Sequence, residues 1–293
     1  MSDNKSVLGF LNINKPKGMT SHDVVSRIRK AAAIKQVGHT GTLDPFATGV
    51  LPIAIGKATK LIEYLNDDKE YIATVQFGAN TATYDLEGEI IETFDTKVTQ
   101  EMILKALKNF EGEISQVPPI YSALKINGKK LYDYARAGED VEIKPRTVNI
   151  YKIELSDFDY ELQQAKILVA SSKGTYIRSI AYDLGKILGC GGHLVNLERT
   201  QAGRFMISKS VNLDDLNTIE NITKYLINPT DVMDFPTKEL NDKEREKVLH
   251  GMPILNNSFK FSDIVFLTYS GKIVAIGMVS KDKILVKKVF EVL

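Results

Sequence analysis

One stretch, Gly38 to Lys60, constrains the chain more than any other. It reads GHTGTLDPFATGVLPIAIGKATK and contains a single acid, Asp44, with His39 five residues before it. Glycine permits backbone angles that other residues avoid, and Pro45 biases the preceding aspartate toward extended geometry. The apolar run 50–55 predicts anchorage in a core. An isolated Asp-Pro pair is an ordinary surface turn, but this density of special residues predicts a stiff loop that presents one carboxylate.

Length and composition are those of a globular protein. The 293 residues suffice for two domains, and 43% hydrophobic with 26% charged residues is typical of such chains. No apolar run approaches the ~20 residues that span a bilayer, and the N-terminal MSDNKSVLGF lacks the apolar region of a secretory signal. The single cysteine, Cys190, excludes an internal disulfide and fits a reducing compartment. We therefore expect a cytoplasmic protein without a membrane segment.

The net charge of +1 conceals a segregated distribution of charge along the chain. Residues 1–64 and 119–210 carry net charges of +5 and +4, whereas residues 65–118 carry −7 and residues 211–293 carry −1. A basic face beside an acidic one guides a polyanion to one side of a protein. Random variation among solvated faces explains the same net charges equally well, so the charge distribution alone does not show whether the protein binds a polyanion.

Two sequence patterns resemble a phosphate-binding loop and a metal site, but each lacks residues that such a site requires. The segment 49–58 resembles a phosphate-binding loop, but six residues separate Gly49 from Gly56 and Ala58 replaces the Ser or Thr that binds magnesium. The pair Cys190 and His193 has no second pair of ligands at suitable spacing. We therefore expect no metal and no cofactor.

Hydrophobic periodicity predicts an α+β protein. Residues 71–77 alternate as a strand, and a second strand is predicted over 87–94, with turn signals at Asp85 and Gly88. Thr20 or Ser21 is predicted to cap a helix, and Asn127-Gly128 is a tight-turn signal. Apolar residues from Ile177 to Leu188, including Ile187, predict one buried helical face that ends at Gly189. The segment 229–236 reads as a linker, and 237–293 reads as a small β-rich module with strands at 264–268, 273–279 and 284–290.

The 38–60 segment resembles the signature of the TruB family of tRNA pseudouridine synthases, in which the aspartate of the LDP segment is catalytic. That aspartate corresponds to Asp44. The N-x-x-KP-x-G-x-TS opening of the family is matched at residues 12–21. The resemblance therefore places Lys15 and Pro16 close to the wall of the active site.

Residues 120–136 interleave cations with aromatic rings. The set comprises Tyr121, Lys125, Lys129, Lys130, Tyr132, Tyr134 and Arg136. Phosphates attract cations and exposed bases stack on rings, so this composition suits single-stranded RNA, although it also suits an ordinary surface hairpin. The pattern YSALK-x-x-GKKLY-x-YAR-x-G resembles the RNA-gripping insertion of the family, about 118–147, and favours RNA. The residues that we expect to bind RNA are Tyr121, Lys125, Lys129, Lys130 and Arg136.

Two further segments match the family, SKGTYIRS at 172–179 and HLVNLERTQAGRF at 193–205. The resemblance places Tyr176 and Arg178 in the active site, with Leu197 as an apolar wall. It implies that Arg178 keeps Asp44 ionised and that Tyr71 stacks on uracil and relays a proton. It also implies that His39 stacks in the RNA after the target base leaves its loop.

The reaction implied by the resemblance breaks the bond from ribose C1′ to N1 of uracil, turns the ring and rejoins it at C5. There is no net redox change, so one carboxylate suffices, either as a nucleophile or as a base. The sequence leaves attack at C1′ and proton removal at C2′ open. The resemblance further implies modification of position 55 in the T loop of tRNA.

The family fold is a mixed, largely antiparallel central sheet flanked by helices and loops. We expect it over residues 1–234, with a small RNA-binding, PUA-like domain over 237–293. The continuous insertion and the small C-terminal module favour a monomer that binds the T arm of tRNA without guide RNA. Two other classes remain as alternatives, a catalytically silent RNA chaperone and a carboxylate-dependent nucleosidase. The presence of Asp44, Tyr71 and Arg178 together disfavours the former, and the basic insertion disfavours the latter.

Overall fold

The computed structural model describes residues 7–291, which form nineteen strands and seven α-helices within that range. The strands are β1 Leu8–Lys15, β2 Val37–His39, β3 Thr48–Gly56, β4 Lys69–Phe77, β5 Ala79–Thr81, β6 Ile90–Thr93, β7 Gly112–Gln116, β8 Lys125–Ile126, β9 Lys129–Lys130, β10 Arg146–Asp159, β11 Gln164–Ser171, β12 Gly192–Ala202, β13 Phe205–Met206, β14 Val211–Asn212, β15 Thr237–Glu239, β16 Ile254–Leu255, β17 Ile264–Tyr269, β18 Lys272–Ser280 and β19 Lys283–Val289. The helices are α1 Ser21–Ala32, α2 Gln100–Leu107, α3 Leu131–Ala137, α4 Ile177–Leu188, α5 Ile219–Lys224, α6 Pro229–Val232 and α7 Asp242–Leu249.

The predicted α+β fold with a largely antiparallel central sheet is confirmed. The main path of this sheet runs β14-β1-β3-β12-β4-β11-β10-β7, with β2 beside β3 and β13 beside β12. Within the described part of the central sheet, only the β1–β14 and β3–β12 pairs are parallel. The late strand β12 therefore lies between two early strands, β3 and β4.

The apolar run that follows Asp44 is anchored as predicted. It forms β3, in which Val50, Leu51, Ile53, Ala54 and Ile55 are all completely buried. One face of β3 packs into the core beneath α1 and α4, and the other, with Val50 and Ala54, packs into a second core. A strand covered on both faces reads as a continuous apolar run.

Helix α1 begins at the predicted cap. The Thr20 side chain accepts a hydrogen bond from the Asp23 backbone N–H, and the Asp23 carboxylate accepts one from the Thr20 N–H. Such a capping box satisfies two donors that the first helical turn leaves free. Helix α4 ends at Gly189 in the left-handed conformation, also as predicted. The prediction of a buried face is wrong at one residue of α4, because Ile187 is 50% exposed.

The strand predicted over residues 87–94 is shorter than expected, since β6 covers only Ile90–Thr93. The Asp85 carboxylate accepts a hydrogen bond from the Glu87 backbone N–H (3.0 Å), and the Gly88 N–H bonds the Asp85 carbonyl. These bonds fold residues 85–88 into a turn, which excludes them from a ladder.

The predicted C-terminal β-rich module is confirmed as a five-stranded sheet in the order β15-β17-β18-β19-β16. The interpretation of residues 229–236 as a linker is wrong. Residues 229–232 form α6, and Val232 and Met233 are buried in a core that also contains Phe10 and Phe266. The two sheets therefore share apolar contacts. None of the helices within residues 7–291 is long and apolar enough to cross a membrane.

Candidate active site

A cavity of about 690 Å³ opens beside the loop that carries Asp44. Its walls come from residues 41–45, from Lys69 and Tyr71 on β4, from the insertion and from residues 174–178. Leu197 of β12 closes one side. Segments far apart in the sequence thus meet here because β12 joins β3 to β4.

Asp44 and Arg178 form a two-point ion pair at this cavity. The Nε of Arg178 lies 3.0 Å from Oδ2 of Asp44, and Nη2 lies 3.3 Å from Oδ1. The carboxylate side chain is 32% exposed, whereas the guanidinium side chain is only 7% exposed. A planar guanidinium that contacts both oxygens fixes the orientation of the carboxylate as well as its charge.

Arg178 has further partners that fix it in turn. Its Nη1 donates to the Thr83 carbonyl (3.1 Å) and to Oδ2 of Asp85 (3.3 Å), and its Nη2 donates to the Tyr121 carbonyl (2.9 Å). The side chain of Asp85 is 4% exposed. The sequence identified Asp85 only as a turn residue, and no local signal marked it as the second acid on Arg178.

The electrostatics of Asp44 reflect opposing causes. Burial raises the pKa of its carboxyl above the ordinary value. The positive charges of Arg178 and Lys15 oppose that rise, and the negative charge of Asp85 adds to it. A desolvated carboxylate that is held ionised by a specific cation is a reactive base or nucleophile.

The loop itself is held by side chains from other elements. The amine of Lys15 donates to the carbonyls of Pro16 (2.9 Å), Met19 (2.7 Å) and Pro45 (3.3 Å). Burial lowers the pKa of this amine to about 8. Lys15 is completely buried and, like Pro16, does not line the cavity. It contacts the loop through the backbone of Pro45, the residue after Asp44, and its charge acts on the Asp44 carboxyl from there.

The Ser21 hydroxyl makes another tie to the loop. It donates to the Leu43 carbonyl (3.1 Å) and accepts from the Leu43 N–H (2.8 Å). Ser21 is the first residue of α1 and is buried. Helix α1 therefore fixes the residue immediately before Asp44.

Tyr71, Tyr176 and Leu197 all line the cavity. Burial raises the pKa of the Tyr71 phenol, and the neighbouring charge of Arg199 opposes that rise. The backbone of Tyr176 is fixed by the side-chain amide of Gln116, which accepts from its N–H (2.8 Å) and donates to its carbonyl (3.0 Å). The sequence around Gln116 does not indicate this role, because Tyr176 is 60 residues away in the chain.

His39 lies on β2 outside the residues that line the cavity. Burial lowers the pKa of its imidazole, and the charge of Arg199 adds to the effect. Its Nδ1 is buried and has no hydrogen-bond partner among residues 7–291. A neutral imidazole with one free nitrogen suits stacking against a base better than contact with a phosphate.

The insertion contributes Tyr121, Tyr132 and Arg136 to the cavity. The Asn127-Gly128 turn joins β8 to β9 as predicted, and both residues have positive φ, 51° and 81°. Such a pair of angles is typical of a two-residue hairpin turn.

The predicted RNA-binding lysines of the insertion lie outside the cavity, and two of them have partners within the chain. Lys129 forms an ion pair with Glu139 (2.7 Å), and the Lys130 amine donates to the Tyr132 hydroxyl (2.7 Å). The Lys125 side chain is exposed. The described residues contain no group of three or more His, Cys, Asp or Glu side chains arranged to hold a metal.

Comparison with known protein families identifies the family of this chain. The profile of the TruB family pseudouridylate synthase N-terminal domain matches residues 29–177, and that of the tRNA pseudouridylate synthase B C-terminal domain matches residues 178–233. The chain belongs to the TruB family. The boundary between the two TruB profiles falls inside the central sheet, since β12 follows it in sequence and pairs with β3 and β4.

Its TruB relatives cover almost the whole chain. The tRNA pseudouridine synthase B of Clostridium kluyveri is 44% identical over 282 residues, 94% of this chain and 96% of the relative. That of Caldanaerobacter subterraneus subsp. tengcongensis is 43% identical over 290 residues, 97% of this chain and 100% of the relative.

Solved structures show the same pseudouridine-synthase fold. An H/ACA RNP bound to a substrate RNA containing 2′-deoxyuridine matches with a TM-score of 0.71 at 26% identity, over 97% of this chain and 85% of the solved one. An archaeal box H/ACA sRNP Nop10–Cbf5 complex matches with a TM-score of 0.69 at 28% identity, over 97% and 86%.

Proposed function

We propose that this protein converts uridine to pseudouridine in tRNA, at position 55 of the T loop. The observation that carries the proposal is the two-point ion pair between Asp44 and Arg178 at the floor of a cavity that Tyr71 and the insertion also line. Relatives named tRNA pseudouridine synthase B, similar over nearly the whole chain, support tRNA as the substrate. Position 55 follows from the bacterial branch of the family.

In this proposal Asp44 acts as the ionised carboxylate. It either attacks ribose C1′ or removes the proton at C2′, and both routes break the C1′–N1 bond without net redox change. Arg178 keeps the carboxylate charged and aimed despite burial. The freed uracil turns, and C5 bonds to C1′ as the Asp44 ester breaks in the first route or as the proton returns to C2′ in the second. The C5 proton then leaves and N1 gains a proton, and we assign the relay of the C5 proton to the Tyr71 hydroxyl.

The target uridine reaches Asp44 only after leaving its stack. Extruding a base costs a few kcal/mol, which replacement contacts offset. Tyr71, Tyr176 and Leu197 supply apolar walls for the extruded ring. To His39, which lies outside the cavity, we assign the role of filling the position in the RNA that the base leaves.

We assign the central sheet and its insertion to catalysis and the C-terminal sheet to accessory, PUA-like RNA binding. All of the proposed catalytic residues precede residue 234. The four cations of the insertion and its half-buried tyrosine rings form the grip on the T arm. We propose that a single copy acts without guide RNA.

The test uses tRNA transcripts that carry tritium at C5 of uridine. Wild-type protein should release tritium and leave a product of unchanged mass that forms a carbodiimide adduct at position 55. A transcript with cytidine at position 55 should show neither adduct nor tritium release from that site. Asp44→Asn should bind tRNA and release no tritium above background, because an amide can neither attack nor remove a proton.

Other outcomes would overturn the proposal. Release of free uracil would indicate a nucleosidase. Tight binding of tRNA without tritium release by wild-type protein would indicate a chaperone. Tritium release by purified Asp44→Asn at a rate close to that of wild type would remove the assigned catalytic role of Asp44.

A further inference from the structure

Arg199 is a completely buried cation whose guanidinium points to backbone oxygens. Its Nε donates to the Val50 carbonyl (2.6 Å), Nη2 to the Gly41 carbonyl (3.1 Å) and Nη1 to the Thr42 carbonyl (3.4 Å). No carboxylate in the described part of the chain forms an ion pair with it. A buried arginine is usually paired with an acid, since desolvation of its charge is costly.

The three carbonyls lie on both sides of one loop. Gly41 and Thr42 precede Asp44, and Val50 follows it on β3. Residues 40–47, which connect β2 to β3, belong to neither strand, so the hydrogen bonds of the sheet do not fix their backbone. The guanidinium therefore joins the beginning and the end of the loop. We call these three hydrogen bonds, from Arg199 to Gly41, Thr42 and Val50, the loop clasp.

The backbone of Arg199 contacts the same place. Gly49 pairs with it in the β3–β12 register and has φ of 102°. A Cβ at Gly49 would lie 2.3 Å from the Arg199 carbonyl oxygen, so no larger residue fits without displacement. Both the main chain and the side chain of Arg199 thus define where the loop ends.

Arg199 also faces the strand that carries Tyr71. The two residues are direct partners in the antiparallel β12–β4 register. The charge of Arg199 counteracts the effect of burial on the Tyr71 phenol. One side chain therefore connects the loop of Asp44 with the tyrosine on the opposite wall.

We propose that Arg199 is a positioning residue for the reaction, which fixes the main chain on both sides of Asp44 and holds that loop in register with Tyr71. This inference rests on the proposed function. Arg199 does not line the cavity, so it acts through the loop and not through contact with substrate. The family signature at 193–205 contains it, but the sequence gives no sign of where its guanidinium points.

The matched control is Arg29, whose guanidinium also binds only backbone carbonyls. Its Nε and Nη2 donate to the Lys35 and Val37 carbonyls, both at 3.0 Å. These bonds hold the connection between α1 and β2, outside the cavity. Arg29→Met therefore reproduces the loss of a carbonyl-bound guanidinium without loss of the loop clasp.

The experiment measures single-turnover rate and tRNA affinity separately for Arg199→Met, Arg199→Lys and Arg29→Met. Displacement of a reacting group by about 1 Å lowers rate by about 100-fold, and that loss is expected for Arg199→Met with tRNA affinity within about twofold of wild type. Arg199→Lys keeps the charge and one donor and should recover part of the rate. Arg29→Met should retain the wild-type rate.

A second readout separates positioning from general loss of structure. When the loop loosens, Asp44 moves from Arg178, whose charge holds its pKa down. The acid limb of the rate profile should then shift in the Arg199 variants, since the burial of Asp44 and its distances from the charges of Arg178, Lys15 and Asp85 all change, and should stay in place in Arg29→Met. If Arg199→Met does not fold, Arg199→Lys decides the matter.

A wild-type rate and an unshifted acid limb in either folded Arg199 variant would overturn the inference. An equal loss of rate in Arg29→Met would also overturn it. The proposed function fails by a different observation, the absence of tritium release from wild-type protein, so the two failures are distinguishable.

Discussion

Asp85 and Asp44 bind opposite sides of one guanidinium, with Oδ2 of Asp85 lying 3.3 Å from Nη1 of Arg178. Both the Asp85 and Arg178 side chains are less than one tenth exposed, at 4% and 7%. The pair therefore lies behind the more exposed Asp44 carboxylate. Since Asp85 carries a negative charge, it orients Arg178 and also raises the pKa of Asp44.

Asp85→Asn should consequently have two separable effects. The single-turnover rate at neutral pH should fall by about 10- to 100-fold, because the charged partner that orients Arg178 is lost, although an amide oxygen can still accept from Nη1 and keep the guanidinium beside Asp44. The acid limb of the rate profile should move to lower pH, because one negative charge beside Asp44 is gone. Asp95→Asn, at an exposed site, is the control and should change neither. A rate profile of Asp85→Asn that superimposes on that of wild type would contradict the assignment.

Asp44→Asn should be at least as stable as wild type at neutral pH. The folded-state pKa of Asp44 lies above its unfolded value, so the folded state binds more protons between the two pKa values. The stability contributed by the neutral form is therefore present below the unfolded pKa and is lost as pH rises through the folded pKa. Asparagine removes that loss, while Arg178 retains Asp85 as a partner.

Thermal unfolding of wild type and Asp44→Asn from acid to neutral pH measures this effect. The difference in melting temperature should favour the variant at neutral pH and should shrink below the ordinary pKa of aspartate. A lower melting temperature for Asp44→Asn at neutral pH, with no difference in acid, would show that the ionised carboxylate stabilises the fold.

Tyr71→Phe keeps the ring that lines the cavity and removes only the hydroxyl. If the hydroxyl relays the C5 proton, tRNA affinity should be unchanged and pseudouridine formation should slow by about 100-fold or more, within the range of general acid–base contributions. Single-turnover rates at saturating enzyme measure the effect. Tyr160→Phe, at an exposed tyrosine, should match wild type. A normal rate in Tyr71→Phe would mean that only the ring contributes.

Lys125→Ala combined with Lys130→Ala should weaken tRNA binding and reduce the salt dependence of that binding. Each lost phosphate contact lowers the slope of log affinity against log salt by about 1. Lys129 is left intact because Glu139 already pairs with it. The control removes the same charge at the C-terminal end of α2, as Lys105→Ala with Lys108→Ala, the residue that follows the helix. Equal slopes for the two double variants in a filter-binding series would count against the assigned grip.

The sequence was sufficient where function depends on a local pattern. The LDP loop, the caps at Thr20 and Gly189, and the Asn-Gly hairpin all depend on neighbouring residues, so they could be predicted before any tertiary contact was known. The strands of the C-terminal sheet also alternate clearly, and β17, β18 and β19 lie within a residue or two of their predicted limits.

What the sequence could not supply are contacts between distant residues. Asp85 precedes Arg178 by 93 positions, and Arg199 follows Gly41 by 158. Nothing local separates a buried arginine on a strand from an exposed one. The linker interpretation of 229–236 failed for the same reason, since proline suggests a boundary and only the tertiary fold shows Met233 packed into a core.

The order of strands in the central sheet has a consequence for biosynthesis. A nascent chain that has emerged as far as Leu188 contains β3 and β4 but lacks β12, which lies between them. Until residues 192–202 follow, β3 and β4 each present an open edge, and such edges invite pairing with other chains. Asp44 precedes β3 and Tyr71 lies on β4, so the two walls of the cavity stay unconnected until then. Insertion of one late, central strand completes the sheet, and non-local pairing of this kind is slow.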